Sequence, residues 1–455
     1  MATQTRSTPR APLAPMPPSH PVLGHLAERW RDPLGLFSRS QQQFGDVVRY
    51  RMGTIFVEQF TRPEHVGHIL VEAKDVYVKG TVWDKLRPLI GNGVVTADGV
   101  SWRRQRRLAQ PAFHHSQLDA LGTVMVSTIA ATLDRFQAAD GPVQLFTELR
   151  AMTLRVVIRA LFGTELDAEI PEVAEAFVAA LEVSNRRIVS PVPYAPWLYR
   201  LPSPNNLTFR RAEQHLSRTV GTIIDRRSAI AEQPPDLLGG LIRAQLAEED
   251  AISLELLRDE VMTFLLAGFE TSATTMTWAL DLLSRDPAAW GRLADEVSDV
   301  LGDRTPLPAD LPRLRYARAV LEETLRLRPA LWAIPRMAAR EDLVGGYRVP
   351  KGDLVVVVPY VTHRHPEFWT DPEIFDPTRF LPERRRSIAR WAYFPFGAGQ
   401  RQCLGRDFAL MEGILLLAMT AQRFSQPEGV GPLPQPDPYV TLRPSGTVPI
   451  RLRPR

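Results

Sequence analysis

A chain of 455 residues, 44 % of them hydrophobic, can build one very large domain or two to three ordinary ones around a substantial core. Its 55 basic and 51 acidic residues are mixed along the chain and leave a formal charge of +4, which gives no nucleic-acid footprint. A single cysteine excludes an intramolecular disulfide, and 40 prolines imply helices punctuated by ordered loops.

Residues 1–22 read as a Pro-rich flexible tail, disordered or extended, ahead of a single domain over 23–455. Glu28 is the first acidic residue. Prolines at 9, 12, 15, 17, 18 and 21 forbid the amphipathic helix of an organellar transit peptide. No apolar stretch near the N-terminus is long enough to span a bilayer. The closest candidate elsewhere, "VMTFLLAGFETSATTMTWALDLL", is broken by Glu270 and several threonines. The expectation is a cytoplasmic protein without a membrane span.

After the tail, "GDVVRYRMGTIFVEQF" (Gly45 to Phe60) alternates around a central glycine, which predicts a β-hairpin. From about Asp98 to Arg227 the pattern is mostly helical, with a proline-rich break at "SPVPYAPWLYRLPSPNN". A long helix is expected from an N-cap at Ser253 towards Ser284. "LPRLRYARAVLEETLRLRP" reads as another helix, ended by Pro329. Two short strand-like runs surround a Gly-rich turn in "EDLVGGYRVPKGDLVVVVPYV". Thr362 to Tyr393 is mostly loop, and Asp407 to Phe424 has the spacing of a helix. The fold class expected is mainly α with small β-sheets.

The lone cysteine lies in "FGAGQRQCLG", residues 396 to 405. A buried filler is the ordinary use of such a thiol, but this context suits an iron-bound thiolate better. Gly397, Gly399 and Gly405 permit a tight turn and close approach of backbone to a flat cofactor. A helix starting just beyond Cys403 would bring its positive end to the sulfur and lower the thiol pKa. Arg401 suits a carboxylate on that cofactor.

The spacing Phe396-x-x-Gly399-x-Arg401-x-Cys403-x-Gly405 resembles the haem-binding loop of the cytochrome P450 family in full. The resemblance implies haem b, iron protoporphyrin IX, held between a long central helix and the cysteine loop. Cys403 would be the axial iron ligand, Phe396 its neighbour, and Arg401 a propionate partner. A cysteinate donates electron density to iron and favours O–O cleavage. "EETLR" places Glu323 and Arg326 three apart on one helix face, a spacing that alone is commonly a surface ion pair. In the family that pair is joined by an arginine matching Arg379 of "DPTRF", and the three charges hold the cysteine loop. Thr378 stands there where the family frequently has glutamate.

"AGFETS" (Ala267 to Ser272) puts a glutamate and hydroxyls inside an apolar helix, which is locally unfavourable unless paired or functional. By resemblance Ala267 and Gly268 leave room for dioxygen, while Thr271 and Glu270 relay protons. "WRRQRR" is a short basic run, ordinary as a solvated helix face. Its Trp102 and Arg106 match the family's propionate-binding pair, and Arg336, with Lys79 a weaker candidate, would do the same duty. The substrate pocket is expected from Phe264, Ala267, Gly268, Thr271, Ala330, Leu331, Trp332 and Ile334, with the 77–95 and 173–215 regions. These residues are mostly apolar and imply a hydrophobic substrate.

The resemblance implies a monooxygenase that inserts one atom of O2 into a C–H or C=C bond of a hydrophobic small molecule. "LRPALW" and "YFPFGAGQRQCLGRDFALMEG" resemble soluble bacterial members that oxidise carotenoids and sesquiterpenes, so a terpenoid leads, with fatty acids and polyketides next. There is no Walker or dinucleotide fingerprint. Electrons would come from a separate ferredoxin or flavodoxin with its NAD(P)H reductase. It would dock on a basic proximal face of Arg103, Arg104, Arg107, Arg384, Arg385, Arg386 and Arg406. The rival readings are a peroxide-driven peroxygenase, a non-catalytic haem-binding protein and a Cys-His hydrolase. His363 and His365 have a metal-like spacing without further evident ligands.

Overall fold

The computed structural model describes residues 11–114, 117–188, 190 and 197–455. The chain is mainly helical with small sheets, as its patterning implies, and divides into two compact units.

The first unit takes the described residues up to Thr81, with Ala333–Pro372 and Ala389–Gln402. Its centre is a five-stranded sheet in the order Val47–Met52, Ile55–Phe60, Leu354–Val357, Ile334–Ala338, Tyr77–Val78. The first two strands are the expected hairpin, antiparallel from Val47 opposite Phe60 to Met52 opposite Ile55. Gly53 turns between them at φ +64°, a region glycine enters without steric cost. Ile55–Phe60 then pairs in parallel with Leu354–Val357, and Ile334–Ala338 pairs antiparallel with the latter. The Gly345-Gly346 turn, with φ +58° and +83°, closes a separate hairpin of Asp342–Val344 and Tyr347–Val349. The second apolar run of that region is thus divided: Tyr347–Val349 stays in the small hairpin and Leu354–Val357 joins the large sheet.

Along this unit the Pro-rich segment is extended and tied to the strands. Arg49 N donates to the carbonyl of Pro15 and Arg348 N to that of Pro12, both at 2.9 Å. Residues 1–10 lie outside the described residues. His363 Nε2 accepts from Phe394 N at 3.0 Å, and His365 meets Asp46 at 2.9 Å, so each ring has a hydrogen-bonding partner within the unit.

The second unit holds the described residues of Val82–Trp332, Glu373–Ile388 and Cys403–Arg455. Its spine is the helix Leu254–Ser284, 31 residues and about 45 Å long. Ser253 caps it as expected, its Oγ accepting from Leu256 N at 3.1 Å. Most side chains beyond the first turn are buried, because helices Leu145–Phe162, Pro204–Ser228, Arg315–Leu327 and Arg406–Arg423 all pack on it. Arg315–Leu327 stops two residues before Pro329, since the residue ahead of a proline is pushed out of helical geometry. Leu145–Phe162 stops at Gly163, which takes φ +54°. The proline-rich break falls between Ile170–Ile188 and Pro204–Ser228, and its residues 191–196 lie outside the described residues. Two minor sheets complete the unit, Val143–Gln144 with Pro449–Arg451 and Glu428–Gly429, and Pro436–Pro438 with Leu442–Pro444.

Candidate functional site

Gln402 ends the first unit's last segment and Cys403 opens the second's. Upstream of the cysteine, Gly397 and Gly399 take φ +71° and +69°. A Cβ on Gly399 would run into the main-chain carbonyl of Leu70, so glycine is required there for space as well as for φ. Phe396, Gly399, Arg401, Arg336 and Ile334 belong to this first unit. Arg336 is buried in its strand, with Nη1 donating to the Pro335 carbonyl at 2.9 Å.

Cys403 shares the second unit with Trp102, Arg106, Gly405, Glu270, Thr271, Glu323, Arg326 and Arg379. The helix expected after it runs Arg406–Arg423, with Gly405 at its N-cap. The Gly405 N–H donates to the sulfur, and Arg106 is close enough to favour the thiolate. The expected net lowering of the thiol pKa is corrected by the structure. Burial outweighs both groups and raises the thiol above its ordinary value, with Asp407 adding to the rise. A metal would reverse that balance, because a coordinating thiol is deprotonated outright. Although protein surrounds its sulfur, Cys403 as a residue keeps accessible surface, so this thiol is not core filler. A sulfur with an N–H aimed at it and a guanidinium nearby, on a residue that keeps accessible surface, is the donor set a thiolate-ligated iron requires.

The long helix presents a second accessible feature. Ala267 is exposed and Thr271, one turn on, is half-exposed, in a helix whose neighbouring turns are buried. Thr271 Oγ1 donates to the Ala267 carbonyl at 2.7 Å. Glu270 points elsewhere: 3 % exposed, it faces Arg150 of Leu145–Phe162, with Nε to Oε2 at 3.1 Å and Nη2 to Oε1 at 3.3 Å. Sequence reasoning missed Arg150. The one usable signal was that a carboxylate inside an apolar helix must find a cation, and Arg150 is set in the apolar run "LFTELRAMTLRVVIRALF".

Four pocket candidates have other packing roles in the structure. A Cβ on Gly268 would lie 2.6 Å from Val157 Cγ2, so glycine there lets two helices approach. Phe264 is buried and stacks on Phe113, ring centroids 5.8 Å apart, and Phe113 meets Phe408 edge-on. Trp332 is buried and donates Nε1–H to the Tyr439 carbonyl at 2.8 Å, while Ala330 O accepts from Leu442 N at 2.9 Å. Leu331 between them is half-buried.

The three charged residues lie together. Arg326 Nε and Nη2 donate to the two oxygens of Glu323 at 2.7 and 2.8 Å, with both side chains fully buried. Arg379 Nε lies 3.5 Å from Glu323 Oε1. Of the basic face, Arg104 pairs with Asp250, Arg384 with Asp376 and Arg385 with Glu322. That leaves Arg103, Arg107 and Arg386 as its exposed members outside these pairs.

A carboxyl the sequence reading passed over is Glu412, on the helix that leaves the cysteine. It is fully buried, and burial pushes it up to about 8, with the Ser272 hydroxyl easing the charged form. Neither oxygen has a well-formed hydrogen bond. In the unfolded chain it titrates near 4.5, so stability is lost as pH rises from there and the loss is complete above 8. Glu412→Gln is expected to match wild type below pH 4.5 and to exceed it increasingly up to pH 8. Denaturant midpoints across that range check the sign.

The family model for cytochrome P450 matches residues 14–449. Cyclooctatin synthase of Streptomyces melanosporofaciens is 37 % identical over 93 % of this chain and 92 % of its own. Pentalenene oxygenase of Streptomyces avermitilis is 36 % identical over 88 % of each chain. Cyclooctat-9-en-7-ol 5-monooxygenase of Streptomyces melanosporofaciens is 34 % identical over 90 % of this chain and 88 % of its own. No helix among the described residues is long and apolar enough to cross a membrane. A cysteine that keeps accessible surface beside a helix start, a hydroxyl-bearing accessible turn in the long helix and a match over nearly the whole length lead to one conclusion: the chain belongs to the cytochrome P450 family and is a haem-thiolate monooxygenase.

Proposed function

We propose that Cys403 is the axial ligand of haem b in this chain and that the oxidised substrate is a terpenoid. Cys403, a residue with accessible surface whose sulfur takes the Gly405 N–H, carries the first part. The second part rests on relatives whose names state a pentalenene oxygenase and a cyclooctat-9-en-7-ol monooxygenase. The accessible side chains of the long-helix turn, Ala267 and Thr271, are hydrocarbon except for one hydroxyl and suit a hydrophobic substrate. The family match over 14–449 supports reading 23–455 as one P450 domain.

When bound, haem supplies the oxygen-activating chemistry, and the residues supply position and protons. Arg106, Trp102, Arg401 and Arg336 are assigned to the haem propionates, and Phe396, Gly399 and Gly405 to shaping the loop around the sulfur. Thr271 Oγ1 and the Glu270 carboxylate are assigned to relaying protons. Both start from engaged positions, Thr271 on the Ala267 carbonyl and Glu270 on Arg150. Passing a proton on therefore requires Thr271 to release that carbonyl and Glu270 to loosen its hold on Arg150. Arg103, Arg107, Arg386 and Arg406 are assigned to docking an acidic electron-donor protein, a ferredoxin or flavodoxin.

Thr271→Ala is expected to keep the spectrum of sulfur-ligated haem while diverting most electrons from product to hydrogen peroxide. Product formed per NAD(P)H consumed measures this, and coupling equal to wild type would remove Thr271 from the relay. Turnover with a ferredoxin system against turnover with peroxide alone separates a monooxygenase cycle from peroxygenase use. The terpenoid assignment is tested by a ligand screen on the Soret band, and no shift with any terpenoid would overturn it.

A further inference from the structure

Ahead of its accessible turn, the long helix carries two adjacent carboxylates that both reach one short loop. Asp259 Oδ2 accepts from Asn92 N at 2.7 Å, and Glu260 Oε2 accepts from Val94 N at 3.2 Å. One turn further on, Thr263 Oγ1 donates to the Ile90 carbonyl at 3.3 Å. The loop is pressed against this helix. A Cβ on Gly91 would collide with the Asp259 carboxylate, and one on Gly93 with the Thr263 hydroxyl. On its other side Gln105 Nε2 donates to the Asn92 carbonyl at 3.0 Å. Gln105 stands between Trp102 and Arg106 on the helix Gly99–Ala109. The loop is therefore hydrogen-bonded both to the helix bearing Thr271 and to the helix bearing Arg106.

We propose that Asp259 and Glu260 are positioning residues, a proton-sensitive clasp that seats the Ile90–Thr96 loop and through it the Trp102–Arg106 helix. Glu260 is 1 % exposed, and its Oε1 has no hydrogen-bond partner among the described residues. Burial pushes its carboxyl up to about 8, with the Asp259 charge adding to the rise and the Val94 N–H opposing it. Burial and Glu255 raise Asp259 as well. The cations on neighbouring elements are engaged elsewhere. Arg87 pairs with Asp84 and donates to the Thr96 carbonyl, Arg104 pairs with Asp250, and Arg243 donates to the carbonyls of Gln233 and Pro234. Arg106 favours the Cys403 thiolate, and Arg103 and Arg107 are exposed on the same helix.

Opening the loop returns Glu260 to water and to its ordinary value of 4.5. The closed clasp is therefore fully favoured below 4.5, weakens as pH rises, and loses nothing further above 8. Hydrogen exchange of the Asn92 and Val94 amides in the purified full chain tests this, read as protection factors. The expected result is a fall of up to about tenfold per pH unit inside that window. A core amide such as that of Leu280, which opens only with the whole fold, should stay far better protected than either loop amide at every pH in the window, which shows that the loop opens locally. Glu260→Gln should flatten the profile and keep the loop protected at pH 8. A flat wild-type profile, or an E260Q profile as steep as wild type, overturns the proposal. The wild-type profile decides even where E260Q fails to fold. Because exchange needs no substrate and no turnover, this outcome is independent of the terpenoid and relay assignments.

Discussion

Cys403→Ala is expected to abolish the absorption of sulfur-ligated haem in protein reduced under carbon monoxide, and with it all monooxygenase activity. The expectation rests on there being one sulfhydryl in 455 residues, so no second thiolate can take its place. An imidazole substitute would not donate the electron density that favours O–O cleavage. Burial alone disfavours the thiolate here, and the Gly405 N–H and Arg106 only partly offset it. Metal coordination must supply the rest. Arg106→Leu should therefore weaken haem retention without shifting the carbon-monoxide band, because it removes a cation and leaves the ligand. A Cys403→Ala protein that keeps the wild-type band when haem is supplied would end the ligand assignment.

Local chemistry was legible in the sequence where a short stretch fixes its own geometry. Ser253 could be placed as a cap because a hydroxyl ahead of an apolar run satisfies the helix's first N–H groups, and it does so through Leu256 N. Gly53 and the Gly345-Gly346 pair marked their hairpins because only positive φ closes such turns cheaply. Pairings across hundreds of residues left no comparable trace. The parallel match of Val57 with Leu354 joins two β-rich runs, neither of which encodes its partner. The same limit hid Arg150 from Glu270 and Asn92 from Asp259. Roles set by packing direction were also hidden. Gly268 and Phe264 stand on the helix at pocket-like spacing, but Val157 and Phe113 occupy the space beside them.

The Glu323–Arg326 pair is the place where a single substitution should cost most stability. Both side chains are fully buried and joined by charge-assisted hydrogen bonds. Glu323 accepts from Arg326 through both oxygens and from Asp376 N at 2.9 Å. Arg326 Nη2 also donates to the Ile374 carbonyl at 3.0 Å, so the pair ties its helix to the segment Glu373–Ile388. Burial raises the Glu323 carboxyl, and Arg326, the Asp376 N–H and Arg379 pull it back. Removing one partner leaves the other charged and dry. Glu323→Ala is thus expected to cost about 3–5 kcal/mol, read from denaturant midpoints of the purified chain. Arg326→Lys should itself be destabilising, because one ammonium cannot reproduce two parallel N–H bonds and the third to Ile374. The double variant Glu323→Ala/Arg326→Ala should lose less than the sum of the single losses, since neither charge is then stranded. Full additivity, or a Glu323→Ala chain as stable as wild type, would show that the pair does not hold the segment, and the anchoring role would pass to Arg379 and Asp376.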